Sequence, residues 1–338
     1  MKKIFFTLVA IMTATLSFAQ NTLVATLTHG DEVTMYYGAD AFMNAHNAAA
    51  SGDVINLSGG SYTGFTFTKA ITVRGTGIDA SNPTSISSMM SFDITENNNF
   101  RLSVEGIRFD GASIVGTFSN PCFLKCLFKG VVTDSSKSHI ENALFVDCKI
   151  TEHFYLFGST SAVFLHCFIQ TLTVKGSDSS TAQCVNCVLN GYFTNYRHSS
   201  FVNCILCCSS QTTNIDYYKL PAETQAMNCT AFNSDNDYYY NNQIYSAMQG
   251  NAISCSTSTY EAVFKDYSGG YSDSQQFELT DAAKTQYLGT DGTEIGLYGG
   301  QYPYNTTPTY PRITNLTVDK QTTADDKLNV EIEVSSAE

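Results

Sequence analysis

The sequence predicts an all-β protein wound as a right-handed parallel β-helix, and three observations carry that prediction. Cysteines recur about every 20 residues through the middle of the chain. Each stands in a short run of alternating apolar and polar residues. Stretches rich in Ser, Thr, Asn and Gly separate the runs, as turns between strands would. A solenoid with one coil per repeat satisfies all three.

The repeat is anchored on Cys126, Cys148, Cys167, Cys187, Cys204 and Cys229, with Gly106 in the corresponding place one coil earlier. Two positions before each anchor stand Val104, Leu124, Val146, Leu165, Val185, Val202 and Met227. Two positions after it the residue is apolar in every coil except at Arg108, and immediately before it the residue is always polar. Apolar residues at −2, 0 and +2 read as a strand with one buried face. Coils stacked ~4.8 Å apart then place the cysteines in an interior ladder. Asn186-Cys187-Val188-Leu189 has the look of a leucine-rich-repeat strand, but the fixed leucines and helical return of that fold are missing.

Ahead of the repeat, Met1-Lys2-Lys3, an apolar run and Ser17-Phe18-Ala19 form a secretory leader over residues 1–19, cut near Ala19. The mature chain is expected outside the cytoplasm: periplasmic, on the cell surface or extracellular. Residues 20–52 are read as a hairpin over 23–37 followed by an alanine-rich helix over 39–50. Phe42, Ala45 and Ala49 share one face of that helix, which caps the first coil. The solenoid is assigned to residues 53–304.

Gly52-Asp53-Val54-Ile55-Asn56-Leu57, continuing through Gly59-Gly60-Ser61-Tyr62 to Ile71-Thr72-Val73-Arg74-Gly75-Thr76-Gly77, resembles the first coils of the pectin-lyase-like β-helix superfamily. Gly289-Thr290-Asp291-Gly292 with Glu294-Ile295-Gly296-Leu297-Tyr298-Gly299-Gly300 resembles the closing segment of its uncharacterised secreted bacterial members. The resemblance spans residues 21–304 and implies the fold. It leaves activity open, because lyases, hydrolases, adhesins and scaffolds share that fold. Residues 305–311 read as a linker. Residues 312–338 read as two further strands, too few to fold alone, that dock on another domain or protein or begin a truncated Ig-like module.

A formal charge of −13, about −15 once Lys2 and Lys3 leave, repels a phosphate backbone and argues against nucleic acid as a partner. No run beyond the leader is long and apolar enough to span a membrane. Cys184-x2-Cys187 and Cys204-x2-Cys207 have a zinc-like spacing. The period-2 register, however, sends Cys184 and Cys207 to the face opposite the anchors, so the interior ladder is preferred. Asn233, Asp235 and Asp237 could offer oxygens to Ca²⁺ from one side of a loop, but the glycine and distal glutamate of an EF-hand loop are missing and a solvated turn is the preferred reading. No catalytic motif of the superfamily's hydrolases appears, so no catalytic residue is assigned. Arg74 is read as part of a coil turn, and His166 as a solvent-exposed residue at −1.

Tyr217, Tyr218, Tyr238, Tyr239, Tyr240 and Tyr245 cluster in and just beyond the longest insertion, where their rings could stack on sugars or simply cover the coil. The expected function is a non-catalytic secreted or surface module that binds extracellular polysaccharide or cell-surface glycan, or serves as a scaffold. A polysaccharide lyase or glycoside hydrolase is the alternative.

Overall fold

The computed structural model describes residues 23–95, 100–133, 138–174, 180–190, 193–194, 199–208, 225–227, 229–233, 248–249, 253–255, 260–266, 275–318 and 330–335. Two sheets of parallel strands form a β-solenoid. Sheet A stacks Val54–Leu57, Thr72–Arg74, Ser103–Glu105, Cys122–Leu124, His139–Val146, Ser159–Leu165, Thr181–Val185, Ser200–Val202, Gln225–Met227 and Met248–Gln249. Sheet B stacks the strands that follow, among them Thr84–Ile94, Ile107–Ser119, Leu127–Thr133, Lys149–Leu156, Val188–Asn190 and Ile205–Cys208.

Between the two sheets the chain turns a sharp corner, and this corner changes the register expected from the sequence. Lys125, Asp147, His166, Asn186 and Asn203, each just before an anchor cysteine, have φ between 49° and 54°. A left-handed residue breaks the period-2 alternation, so the inward positions are −3 and 0 rather than −2 and 0. Phe123, Phe145, Phe164, Cys184 and Phe201, all at −3, are buried in register with one another. The −2 residues Leu124, Val146, Leu165, Val185 and Val202 face outward and are half-buried. Gly106 is displaced for the same reason. Strand pairing aligns Leu124 with Glu105, so Gly106, at φ 70°, is itself a corner and Ile107 occupies the ladder place.

The six anchor cysteines are fully buried. Each thiol donates to the carbonyl two residues back: Cys126 to Leu124 O at 3.2 Å, Cys167 to Leu165 O at 3.3 Å, Cys204 to Val202 O at 3.2 Å. Carbonyls beside a corner have a second lone pair facing the interior, and a small side chain with a weak donor meets that need. Burial pushes the Cys126, Cys167 and Cys204 thiols well above their ordinary range. Beside the ladder, Phe123, Phe145 and Phe164 stack at centroid spacings of 5.0 and 5.1 Å. Offset pairs of this kind contribute about 0.5–1.5 kcal/mol each beyond area burial.

At the N-terminal end, β1 (Val24–His29) and β2 (Glu32–Tyr37) form an antiparallel hairpin. Strand β1 also pairs antiparallel with Val54–Leu57. Helix α1 (Ala41–Ala48) closes the coil interior with Phe42, Ala45 and the following Ala49 buried. Lys69 Nζ caps its C-terminal carbonyls, those of His46, Asn47 and Ala49, at 2.6–2.8 Å.

Beyond the last described coils, α2 (Tyr260–Val263) and α3 (Asp281–Gln286) lead the chain back over the outside of the solenoid. Helix α3 was not expected. At six residues it is too short to show a helical period, and its start is marked by Thr280, whose hydroxyl accepts from Ala283 N–H. Strands Arg312–Val318 and Val330–Ser335 pair antiparallel as a separate two-stranded sheet.

Candidate functional site

The residues just after the anchors explain how the outer wall is covered. At +1, Phe168, Val188 and Ile205 point out of sheet B yet are buried. With Cys207 they meet Val263, Phe264, Phe277, Leu279, Tyr287, Ile295 and Leu297 in a second apolar cluster outside the coil. Phe277 stacks on Phe168 at 4.3 Å. In the next coil towards the N-terminus, Lys149 extends its ammonium to Gln275 O at 3.1 Å.

From this cluster, residues 289–310 run as a strap along the corners, opposite to the order of the coils. Each corner reads its backbone with the polarity required. Asn203 Oδ1 accepts from Thr290 N–H at 2.9 Å, and the Asn203 carbonyl accepts from Gly296 N–H at 2.9 Å. At Asn186 the strap passes as Gly299. A Cβ there would lie 2.9 Å from Asn186 Nδ2 and 1.8 Å from Glu294 O, so glycine is required. The His166 ring donates to Gly299 O, Asn305 N–H donates to Asp147, and Lys125 Nζ donates to Thr307 O. Glu105 then accepts from Thr309 N–H at 2.6 Å and from its hydroxyl at 2.9 Å.

The strap therefore covers the −1 column from Asn203 to Lys125 and then Glu105, at −2 of the coil before. His166 is not solvent-exposed as expected: its side chain is 15% accessible. Burial pushes its pKa down and pushes Asp147 up to about 7, Lys125 opposing the latter shift. His166 Nδ1 lies 3.9 Å from Asp147 Oδ1, and that oxygen has no hydrogen-bond partner.

Where the strap ends, a groove of about 780 Å³ opens on the outer face of sheet A. Val24 and Thr26 of the hairpin, Asn56 and Ser58 of the first coil, Asp79 and Asn82 of the loop after Arg74, and the strap's Tyr310 and Pro311 line it. Arg74, in register between Asn56 and Glu105, projects into this space with its guanidinium 5.3 Å from the centre of the Tyr310 ring. Asp79 accepts from the Thr306 hydroxyl at 2.6 Å, which ties the loop to the strap. Read from sequence as part of a turn, Arg74 is the cation of the groove. The signal was its place as an outward residue on a strand whose neighbours Thr72 and Val73 alternate normally.

Tyr217, Tyr218, Tyr238, Tyr239, Tyr240, Tyr245, Asp235 and Asp237 lie outside the described residues, and of Asn233 only its place in strand Thr230–Asn233 is described. The CxxC pairs divide differently from the expectation. Cys184 points inward beside Cys187 and Cys204, because −3 is an inward position, whereas Cys207 belongs to the outer cluster across the sheet wall. Among the described residues no three His, Cys, Asp or Glu side chains converge as a metal site. No family model matches the chain, and neither does any curated protein or solved structure.

Proposed function

We propose that this is a secreted, non-catalytic β-helix module of the pectin-lyase-like type that binds extracellular carbohydrate in the groove between Arg74 and Tyr310. The groove's lining carries the reading. Amides and hydroxyls from Asn56, Ser58, Thr76, Ser81 and Asn82 surround one cation and the edge of an aromatic wall. That combination suits sugar hydroxyls and ring faces. Asp79 is the single carboxylate among the lining residues, and it is engaged by Thr306. Glycoside hydrolysis ordinarily requires a pair, so the lining favours binding over cleavage. The superfamily assignment rests on the Gly52–Gly77 and Gly289–Gly300 motifs together with the solenoid.

Glycan-array screening followed by calorimetry tests the proposal. Arg74→Ala and Asn82→Ala should each weaken binding about tenfold, the effect of losing one charged or amide hydrogen bond. No cleavage products should accumulate. Binding that ignores both substitutions would remove the groove from consideration, and product formation would favour the enzyme.

A further inference from the structure

A solenoid's terminal coil is normally closed by a polar cap, and edge strands are normally protected by charge, proline or a bulge. Strand β2 (Glu32–Tyr37) departs from both habits. It pairs with β1 without a break, from Val24 with Tyr37 to His29 with Glu32, and among the described residues its other edge has no strand partner. Its six residues contain no proline or lysine, and Glu32 at one end is its single charge. On its outward face Val33, Met35 and Tyr37 are 59%, 56% and 63% exposed. The Tyr37 hydroxyl rests on Met35 Sδ at 3.3 Å, which joins them into one stripe.

We propose that β2 is a homotypic docking edge: two copies of this chain pair their β2 strands antiparallel about a two-fold axis at Met35 and continue sheet A from one solenoid into the other. The strand is self-complementary in that register. Met35 faces Met35, Val33 faces Tyr37 and Thr34 faces Tyr36, so the two apolar stripes merge on one face. Glu32 of one copy falls opposite Gly38 of the other, which keeps the two glutamates at opposite ends. A parallel arrangement would set them side by side. The strap itself ends at the level of Arg74, three strands from β2 across Val54–Leu57 and β1, and among the described residues no strand pairs with the outer edge of β2. Free N–H and C=O groups supply the pairing, and the apolar stripe gains by leaving water.

Light scattering across a dilution series of the full mature protein reads the outcome. The wild type should show twice the monomer mass at high micromolar concentration, and Met35→Lys should halve that mass while its circular dichroism stays unchanged. Met35→Cys should be joined to itself by a short bismaleimide, which adds to both thiols without an oxidant, since directly opposed Cβ atoms lie about 4.5–5.5 Å apart. Tyr37→Cys, which faces Val33, should not link to itself. A wild type that stays monomeric overturns the proposal, and so does a dimer that persists in Met35→Lys.

Discussion

The corner residues hold the solenoid and its strap together through one atom group each. Asn203 shows both duties. Its backbone occupies the left-handed region, which costs a residue without a local polar side chain about 1–2 kcal/mol. Its amide meanwhile satisfies Thr290, accepting from N–H at 2.9 Å and donating to Oγ1 at 3.3 Å. Substitution can separate the two contributions. Asn203→Gly keeps the backbone, with its carbonyl still accepting from Gly296 N–H, and loses the two amide contacts to Thr290, for about 1–2 kcal/mol. Asn203→Ala loses both, for about 2–4 kcal/mol. Urea unfolding should rank wild type above glycine and glycine above alanine; alanine equal to glycine would mean that the corner conformation carries no cost. These residues were visible in the sequence as a polar column. Their conformation was legible too, since Asn, Asp and Gly are the residues that tolerate left-handed φ, but a uniform period-2 reading passed over it. The phenylalanines at −3 were the unused second signal.

At the scale of elements, the strap was the part hardest to read. Residues 289–310 have no period of their own, because their conformation is set by a column of side chains contributed by six coils more than 80 residues away. Its seating has a proton linkage with a definite sign. In the seated state Asp147 titrates at about 7, raised from 3.8, while His166 is depressed from 6.5. Facing them are Lys125, engaged by Thr307 O, Glu105, engaged by Thr309, and the buried phenol of Tyr304. Between the two Asp147 values the seated strap holds a proton that the lifted strap releases, so seating weakens as pH rises towards 7. Between the depressed and ordinary His166 values the lifted strap holds the extra proton, so seating weakens as pH falls below 6.5. Where the windows overlap the two effects offset each other, and wild-type seating should be flat. Each single variant uncovers the other group. His166→Gln should lose seating by up to about tenfold per pH unit as pH rises from about 4 to about 7. Asp147→Asn should lose it in the opposite direction, on acidification below 6.5. Hydrogen exchange of the amides in 299–309, corrected for intrinsic rate, measures this; two flat variant profiles would show that the pair is not linked to seating.

For the whole molecule, the strap and the second apolar cluster alter what kind of object the solenoid is. Coils that touch only their neighbours form a nearly one-dimensional stack, in which segments can open separately. Here one chain segment bonds to Asn203, His166, Asp147, Lys125 and Glu105 in turn and then packs Tyr310 against Arg74. Opening any one coil beneath it breaks contacts held by the others. The anchor of this brace is Ile295 and Leu297, each 1% exposed against Phe168, Val188 and Ile205. Leu297→Asp places an unpaired charge there, a change that costs several kcal/mol on the order of a buried-charge penalty. Its effect should reach beyond its own site. In the wild type the coils from Val104 to Phe201 should exchange and unfold in one transition. In Leu297→Asp the coils around Phe168, Val188 and Ile205 should open first, and the earlier coils, with Phe123 and Phe145 stacked in their interior, should persist to higher denaturant. Two transitions in the variant against one in the wild type would identify the strap as the source of the solenoid's cooperativity. A single transition merely shifted to lower denaturant would assign that cooperativity to the interior stack of Phe and Cys side chains alone.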